Sequence, residues 1–285
     1  MSVLTSCLRQ YSRLLALLLG IALPAIPTSA AEQPPLQMGI LPYLSSEHLF
    51  EKFLPLKDYL ETQLKRRVVL STAPNLKTYY QRATHGDYDL YFTAPNLALL
   101  AEKEYSHKRV IRFSQELNGI VVVHRDSPVH RIQELRGRTV AAPDELAIVV
   151  ILGQQLFKES GLEPVKDYRL LRSSSHNNAI LTVLRRDADA ALVGSGMLKQ
   201  FPTEVTQELR ILASTRTVPN IMGMAPPRMT AAEYTRLKSA MLAFTRDGVG
   251  REFFAATNFG YMQPITDADM ARLRPYLKST RERLQ

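Results

Sequence analysis

The chain has one cysteine, Cys7, and it lies ahead of an apolar stretch at Leu14 to Ala25. Everything beyond residue 31 is thiol-free, which excludes a disulfide, a cysteine nucleophile and a thiolate metal site from that part. Absence of cysteine suits an oxidising compartment, where a stray thiol risks wrong pairing. A lipid-anchored bacterial protein would carry its cysteine after the apolar stretch, so Cys7 is not that residue. No later stretch approaches the ~20 apolar residues that a membrane span needs. Also missing are a phosphate-cradling glycine loop, a dinucleotide fingerprint and a histidine pair at metal-ligand spacing. The sequence holds no internal repeat, no low-complexity segment and no long flexible linker. These absences lead to an expectation of no enzyme activity, no cofactor and no metal.

What is present begins with an export signal. Arg9 and Arg13 precede the apolar stretch, and small residues follow at Thr28, Ser29, Ala30 and Ala31. This pattern reads as a cleavable signal peptide over residues 1–31, and it predicts a periplasmic protein. Retention as an uncleaved anchor is the alternative. Loss of Arg9 and Arg13 lowers the formal charge from +9 by two, to +7. Export and the scatter of the basic residues argue against nucleic acid and for an anionic small ligand or an anionic membrane surface. A merely solvated basic surface stays open.

From Leu36 onward, strand and helix patterns alternate. Strands read at Leu36 to Leu41, Arg67 to Ser71, Tyr88 to Thr93, Arg109 to Ser114, Gly119 to His124, Arg138 to Ala142, Tyr168 to Arg172, Ala190 to Val193, Arg210 to Ala213 and Ile221 to Met224. Helices read at Glu47 to Leu64, Asn75 to Thr84, from Pro95, Asp144 to Ser160, Asn177 to Arg186, Ala231 to Thr245, Val249 to Thr257 and Asp267 to Leu277. Pro55 should kink or restart the first helix. Thr230 with Glu233, and Thr266 with Asp269, form capping-box patterns. The alternation predicts an α/β fold with mixed, mainly parallel sheets. Without a linker, two lobes would be joined by strands crossing near Asn118 to Val123 and Ala213 to Val218. The first lobe then comprises residues 32–118 and 217–285, and the second 119–216. A single wide doubly wound sheet is the alternative.

Candidate ligand residues sit where strands give way to helices, the place where α/β sheets bind ligands. They are Tyr43, Thr93, Asn96 and Ser195, each just past or at a strand end. His176 and Asn177 stand in the polar run Ser173 to Asn178 before a helix, where a histidine could donate to an oxyanion. Asp144 and Glu145 read either as first-turn helix acids or, if they face a cleft, as partners of a cationic or donor-rich ligand. Ser195 lies in Gly194-Ser195-Gly196, which lacks the spacing of a nucleophile elbow. The pairs Asp87/Asp89 and Asp187/Asp189 are explained by alternation along a strand or turn better than by metal binding.

Several segments, in order, resemble a known family. They are Gly39-Ile40-Leu41-Pro42, Phe53 to Leu60, Ala73-Pro74-Asn75, Gly86-Asp87-Tyr88-Asp89-Leu90 and Ala94-Pro95 in the first part. Val123 to Pro128, Glu134 to Val140, Ser175-His176-Asn177 and Asp187-Ala188-Asp189-Ala190 follow. Together they look like the phosphate, phosphite and phosphonate-binding components of ABC transporters. The resemblance implies a type II periplasmic-binding fold, two lobes closing on a small anionic ligand and a membrane permease as partner. A membrane sensor is the alternative partner, and a monomer is expected. The family's Ser-Thr-Ser-Gly turn is replaced here by Pro143-Asp144-Glu145-Leu146-Ala147, its cleft tyrosine by Leu76 and a cleft aromatic by Thr93. His176 matches a family ligand contact.

Overall fold

The computed structural model describes residues 33–285, so the expected signal peptide lies outside the described residues. The chain first lays down β1 (Leu36–Ile40), α1 (Ser46–Leu64), β2 (Val68–Ser71), α2 (Leu76–His85), β3 (Leu90–Thr93), α3 (Pro95–Tyr105) and β4 (Lys108–Phe113). It then crosses into β5 (Gly119–His124), β6 (Thr139–Ala142), α4 (Ile148–Glu159), β7 (Arg169–Arg172), α5 (His176–Leu184), β8 (Ala190–Gly194), α6 (Thr203–Thr206) and β9 (Leu209–Ser214). It returns as β10 (Met222–Ala225), α7 (Ala231–Phe244), α8 (Gly248–Thr257), β11 (Met262–Gln263), α9 (Asp267–Leu273) and α10 (Leu277–Leu284). Two sheets result, ordered β11-β4-β10-β3-β1-β2 and β7-β6-β8-β5-β9. Each sheet is the centre of one lobe.

Both sheets are mixed, but parallel pairing does not predominate as the strand–helix alternation suggests. It is confined to β2-β1-β3 and β7-β6-β8, where a helix connects each strand to the next in the chain. The strands that enter from the other half, β10 and β5, pair antiparallel on both sides. A strand fed from across the molecule has no crossover helix to turn it round. The two connections between halves run side by side: Leu117 and Val218 exchange both backbone hydrogen bonds at 2.9 and 2.8 Å.

Local chemistry explains the element boundaries. Helix α1 runs through Pro55 as one element, because Leu49, Phe53, Leu56 and Leu60 bury a continuous stripe on either side of it. Burial of four large side chains outweighs the ~3 kcal/mol proline penalty. Helix α2 starts at Asn75, whose side chain accepts from the Thr78 N–H, and stops at Gly86 with φ 89°. Both capping boxes form, on α7 and α9. The aspartates of the two Asp-x-Asp segments do equivalent work in the two sheets. Asp89 accepts from the Gln37 N–H at 2.8 Å beside β1, and Asp189 from the Thr139 N–H at 2.9 Å beside β6. Each is paired with an arginine, Arg228 and Arg138 respectively. Among the described residues no three histidine, cysteine or acidic side chains gather to hold a metal ion.

Helix α4 departs from its expected start. It begins at Ile148, not near Asp144, with Ala147 at the cap position and no side-chain cap. Asp144 and Glu145 are therefore not first-turn acids of that helix. They belong to a tight turn in which the Asp144 carbonyl accepts from the Ala147 N–H. A terminal helix also extends past Leu277, as α10, beyond the end read from sequence.

Candidate functional site

A cavity of about 550 Å³ opens between the two sheets. Its wall is built from the residues that follow the carboxyl ends of the parallel strands. In the first lobe these are Leu41 to Tyr43 after β1, Pro74 to Leu76 after β2, and Ala94 and Pro95 after β3. In the second they are Pro143 and Asp144 after β6, Ser173 to His176 after β7, and Ser195 to Met197 after β8. Open α/β sheets place ligands at just these ends. Helices α2, α3, α4 and α5 all begin at the same wall, so four helix N-termini turn their partial positive charge toward it.

Tyr43 and Lys52 give the first lobe's wall its chemistry. The Tyr43 side chain is nine-tenths buried and its hydroxyl has no hydrogen-bond partner among the described residues. Burial holds that phenol well above its ordinary pKa, so it is a neutral donor. Lys52 sits on α1 with its ammonium 5.9 Å from the centre of the Tyr43 ring. It is half-buried, and desolvation lowers its pKa. Lys52 forms no ion pair among the described residues, whereas Arg172 on the same cavity pairs with Asp144 at 3.2 Å. A charged group left unpaired in a partly dry wall is costly.

His176 forms the opposite wall. Its Nδ1 accepts from the Gly194 backbone N–H at 3.3 Å, which leaves the ring proton on Nε2. Desolvation pushes its pKa down to about 4, so the ring is neutral at physiological pH and offers one N–H. Ser195 is less free than the sequence suggests, since its hydroxyl donates to Asn118 Oδ1 at 2.6 Å. Ser175 accepts from the Asn178 N–H as the cap of α5.

Of the remaining sequence candidates, Asp144 alone lines this cavity. Thr93 and Asn96 are fully buried and do not line the cavity. Asn96 instead donates to the Leu146 carbonyl and to Thr280, both at 3.1 Å, and so ties α3 to the β6–α4 turn and to α10. Glu145 is exposed, and its carbonyl accepts from Arg283 at 2.9 Å. Asn177 faces a second depression of about 810 Å³ that shares Lys52, Ser175, Ala256 and Thr257 with the first. Asp144 does line the main cavity, but its acceptors are met inside the protein. One oxygen accepts from the Leu146 N–H at 3.0 Å; the other accepts from the Leu76 N–H at 3.3 Å and Arg172 at 3.2 Å. A cationic ligand is not needed to satisfy it.

Sequence reasoning passed over Lys52 and Arg172. A signal for Lys52 existed: it lies three residues after Leu49 and four before Leu56, on the edge of the buried stripe of α1. Arg172 ends β7, and nothing in the sequence sets it apart from its neighbour Arg169.

His176 and His107 give the fold a pH dependence. His107 is buried against the Tyr91 hydroxyl at 2.7 Å, and desolvation pushes its pKa down to about 4 as well. The unfolded chain takes up both protons near pH 6.5, whereas the folded chain refuses them until about pH 4. Stability from these groups is full above pH 6.5 and lost as the pH falls through the window to 4. Urea unfolding across that window should show the decline, and His107→Gln should make it shallower. An equal slope in the variant would remove His107 from this role.

Two lobes joined by paired connections, with a cavity at the facing strand ends, define a type II periplasmic-binding clamp. Residues 38–270 match the family model described as ABC transporter, phosphonate, periplasmic substrate-binding protein, and the chain belongs to that family. A family of substrate-binding transport components also places this chain with periplasmic proteins that serve a membrane permease. Solved structures share the fold at low identity. A binding protein component of an ABC phosphonate transporter from Pseudomonas aeruginosa is 16% identical, with a TM-score of 0.78 and 89% of each chain covered. PhnD1 from Prochlorococcus marinus in complex with methylphosphonate is 15% identical, with a TM-score of 0.78 over 87% of this chain and 98% of that one. A Xanthomonas citri protein bound to chloride is 19% identical, with a TM-score of 0.73 over 87% and 98%.

Proposed function

We propose that the mature chain captures a small anion, of the phosphonate or related oxyanion class, and presents it to an ABC permease. The observation that carries this reading is Lys52, a half-buried cation without a counter-ion among the described residues, held over the ring of Tyr43, whose hydroxyl is also unpartnered there. The neutral N–H of His176 and the four helix N-termini supply further donors to an anion. The lobes are residues 32–118 with 217–285, and 119–216, and they close as the ligand contacts both. Residues 1–31 are removed on export, and the protein works as a monomer.

The test is a thermal-shift series on the mature chain with methylphosphonate, phosphite, phosphate, methanesulfonate, acetate and an uncharged control. A ligand present at a hundred times its dissociation constant stabilises the native state by about 2.7 kcal/mol. At least one oxyanion should therefore raise the melting temperature by several degrees, and the uncharged solute should not. A series in which no anion shifts the transition would refute the reading.

A further inference from the structure

Asp144 is placed as a bound anion would be. Its carboxylate stands at the first turn of α2, accepting the Leu76 N–H at 3.3 Å, and it meets Arg172 at 3.2 Å. The Leu146 N–H of its own turn holds the other oxygen at 3.0 Å. Asp144 leaves β6 in the second sheet, whereas α2 packs in the first lobe, so the contact spans the cavity. Helix α2 already has a cap, Asn75, which serves the Thr78 N–H. The carboxylate is thus additional to the cap and takes a first-turn N–H that the helix leaves free. The side chain is 17% exposed, which limits screening of its charge by water.

Other parts of the first lobe hold the same turn in place. Asn96 on α3 donates to the Leu146 carbonyl, and Arg283 on α10 donates to the Glu145 carbonyl. Residues 144–146 are therefore gripped from three elements, and the carboxylate has a fixed position. A solute entering the cavity meets two electrically different regions. Around Lys52, Tyr43 and His176 the protein offers donors and a positive charge that is unpaired among the described residues. Around Leu76 and Arg172 the positive groups are already neutralised by Asp144.

We propose that Asp144 is a specificity-determining residue that fills, with its own carboxylate, an anion seat at the start of α2, and so restricts the cavity to solutes with a single anionic group. The inference rests on the anion-binding function proposed above and adds the discrimination. A solute with anionic groups at both ends would bring its second charge against a fixed carboxylate in a partly dry site. Like charges so placed repel strongly, and discrimination by an unfavourable contact needs no extra affinity for the right solute.

The experiment is titration calorimetry of the full mature chain with methylphosphonate, which has one anionic group, and phosphonoacetate, which has two. The wild type should bind methylphosphonate at least about tenfold more tightly. Asp144→Asn keeps an acceptor for the Leu76 N–H but removes the charge. It should strengthen phosphonoacetate binding by about tenfold or more relative to methylphosphonate. Asp144→Glu should retain the wild-type preference. If Asp144 only tethers the lobes, Asp144→Asn weakens both ligands alike, and that result overturns the inference while leaving the anion-binding function standing. An unchanged preference in Asp144→Asn overturns it too. Binding of neither ligand, with no anion active in the thermal-shift series, removes the parent reading as well. Arg172→Gln supplies an independent check should the Asp144 variants fail to fold. With Asp144 deprived of its cation, phosphonoacetate binding should fall further while methylphosphonate is held; a gain for phosphonoacetate would contradict the assignment.

Discussion

Lys52→Met should weaken binding of the preferred oxyanion by about 30-fold or more, an effect of ~2 kcal/mol or larger. Removing one member of a charge-assisted contact in a partly desolvated wall costs several kcal/mol. The same substitution should raise the melting temperature of the ligand-free protein. Lys52 is half-buried, unpaired and held below its ordinary pKa by desolvation, so the folded state is disfavoured by its charge. A methionine of similar length keeps the contact with the Tyr43 ring without that cost. The opposite signs are informative: a structural lysine would lose stability on replacement, and a bystander would leave both measurements unchanged. Calorimetry and thermal melts of the two proteins, with and without ligand, separate these cases.

The second large effect is on stability, and it comes from Gly250. A Cβ at this position in α8 would stand 1.6 Å from the Phe244 carbonyl oxygen at the end of α7. The neighbour is backbone and cannot rotate away. One of the two helices must shift, which disturbs packing of Phe244 against Phe253 and Phe254 at 5.4 and 5.8 Å. Gly250→Ala should therefore destabilise the protein by about 3 kcal/mol or more, the upper range for overpacking. A large drop in the urea midpoint checks it. The change should also reach the ligand, because α8 carries Ala255, Ala256 and Thr257 to the cavity wall and packs by Phe253 against Phe53, beside Lys52. An unchanged midpoint would mean that α7 and α8 do not approach so closely.

The fold was largely legible because its signals are local. Apolar periodicity, Gly86 at the end of α2, Pro95 at the start of α3 and the Thr230 and Thr266 boxes each act within one or two turns. Absence of a linker also pointed to strands crossing between lobes, and Leu117 and Val218 pair where they do. Pairing direction was not local. The balance of parallel and antiparallel neighbours depends on β5 and β10 arriving from the other half, which no window of residues records.

The site divides along the same line. Tyr43, Asp144, His176 and Ser195 reach the cavity wall, because each directly follows a strand whose carboxyl end faces the gap or opens the helix after it. Thr93 and Asn96 follow the same rule and yet are buried, because α3 is covered by α10 and by the 144–146 turn. That covering comes from residues 50 and 184 positions further along the chain. Lys52 lies on a helix and escapes a rule based on strand ends. The partnership of Asp144 with the Leu76 N–H joins residues 68 apart, so the local pattern offers a first-turn helix acid or a cleft-facing acid and not this internal acceptor.

Anomalous diffraction from crystals of the mature chain soaked in methylarsonate would locate an oxyanion directly by its arsenic. A peak is expected between the lobes, with the oxygens of the bound methylarsonate within hydrogen-bond reach, about 3 Å, of Lys52 Nζ and the Tyr43 hydroxyl, and with Asp144 still on Leu76 and Arg172. A peak seated against Leu76 and Arg172 with Asp144 displaced, or none between the lobes under conditions where calorimetry shows binding, would contradict it.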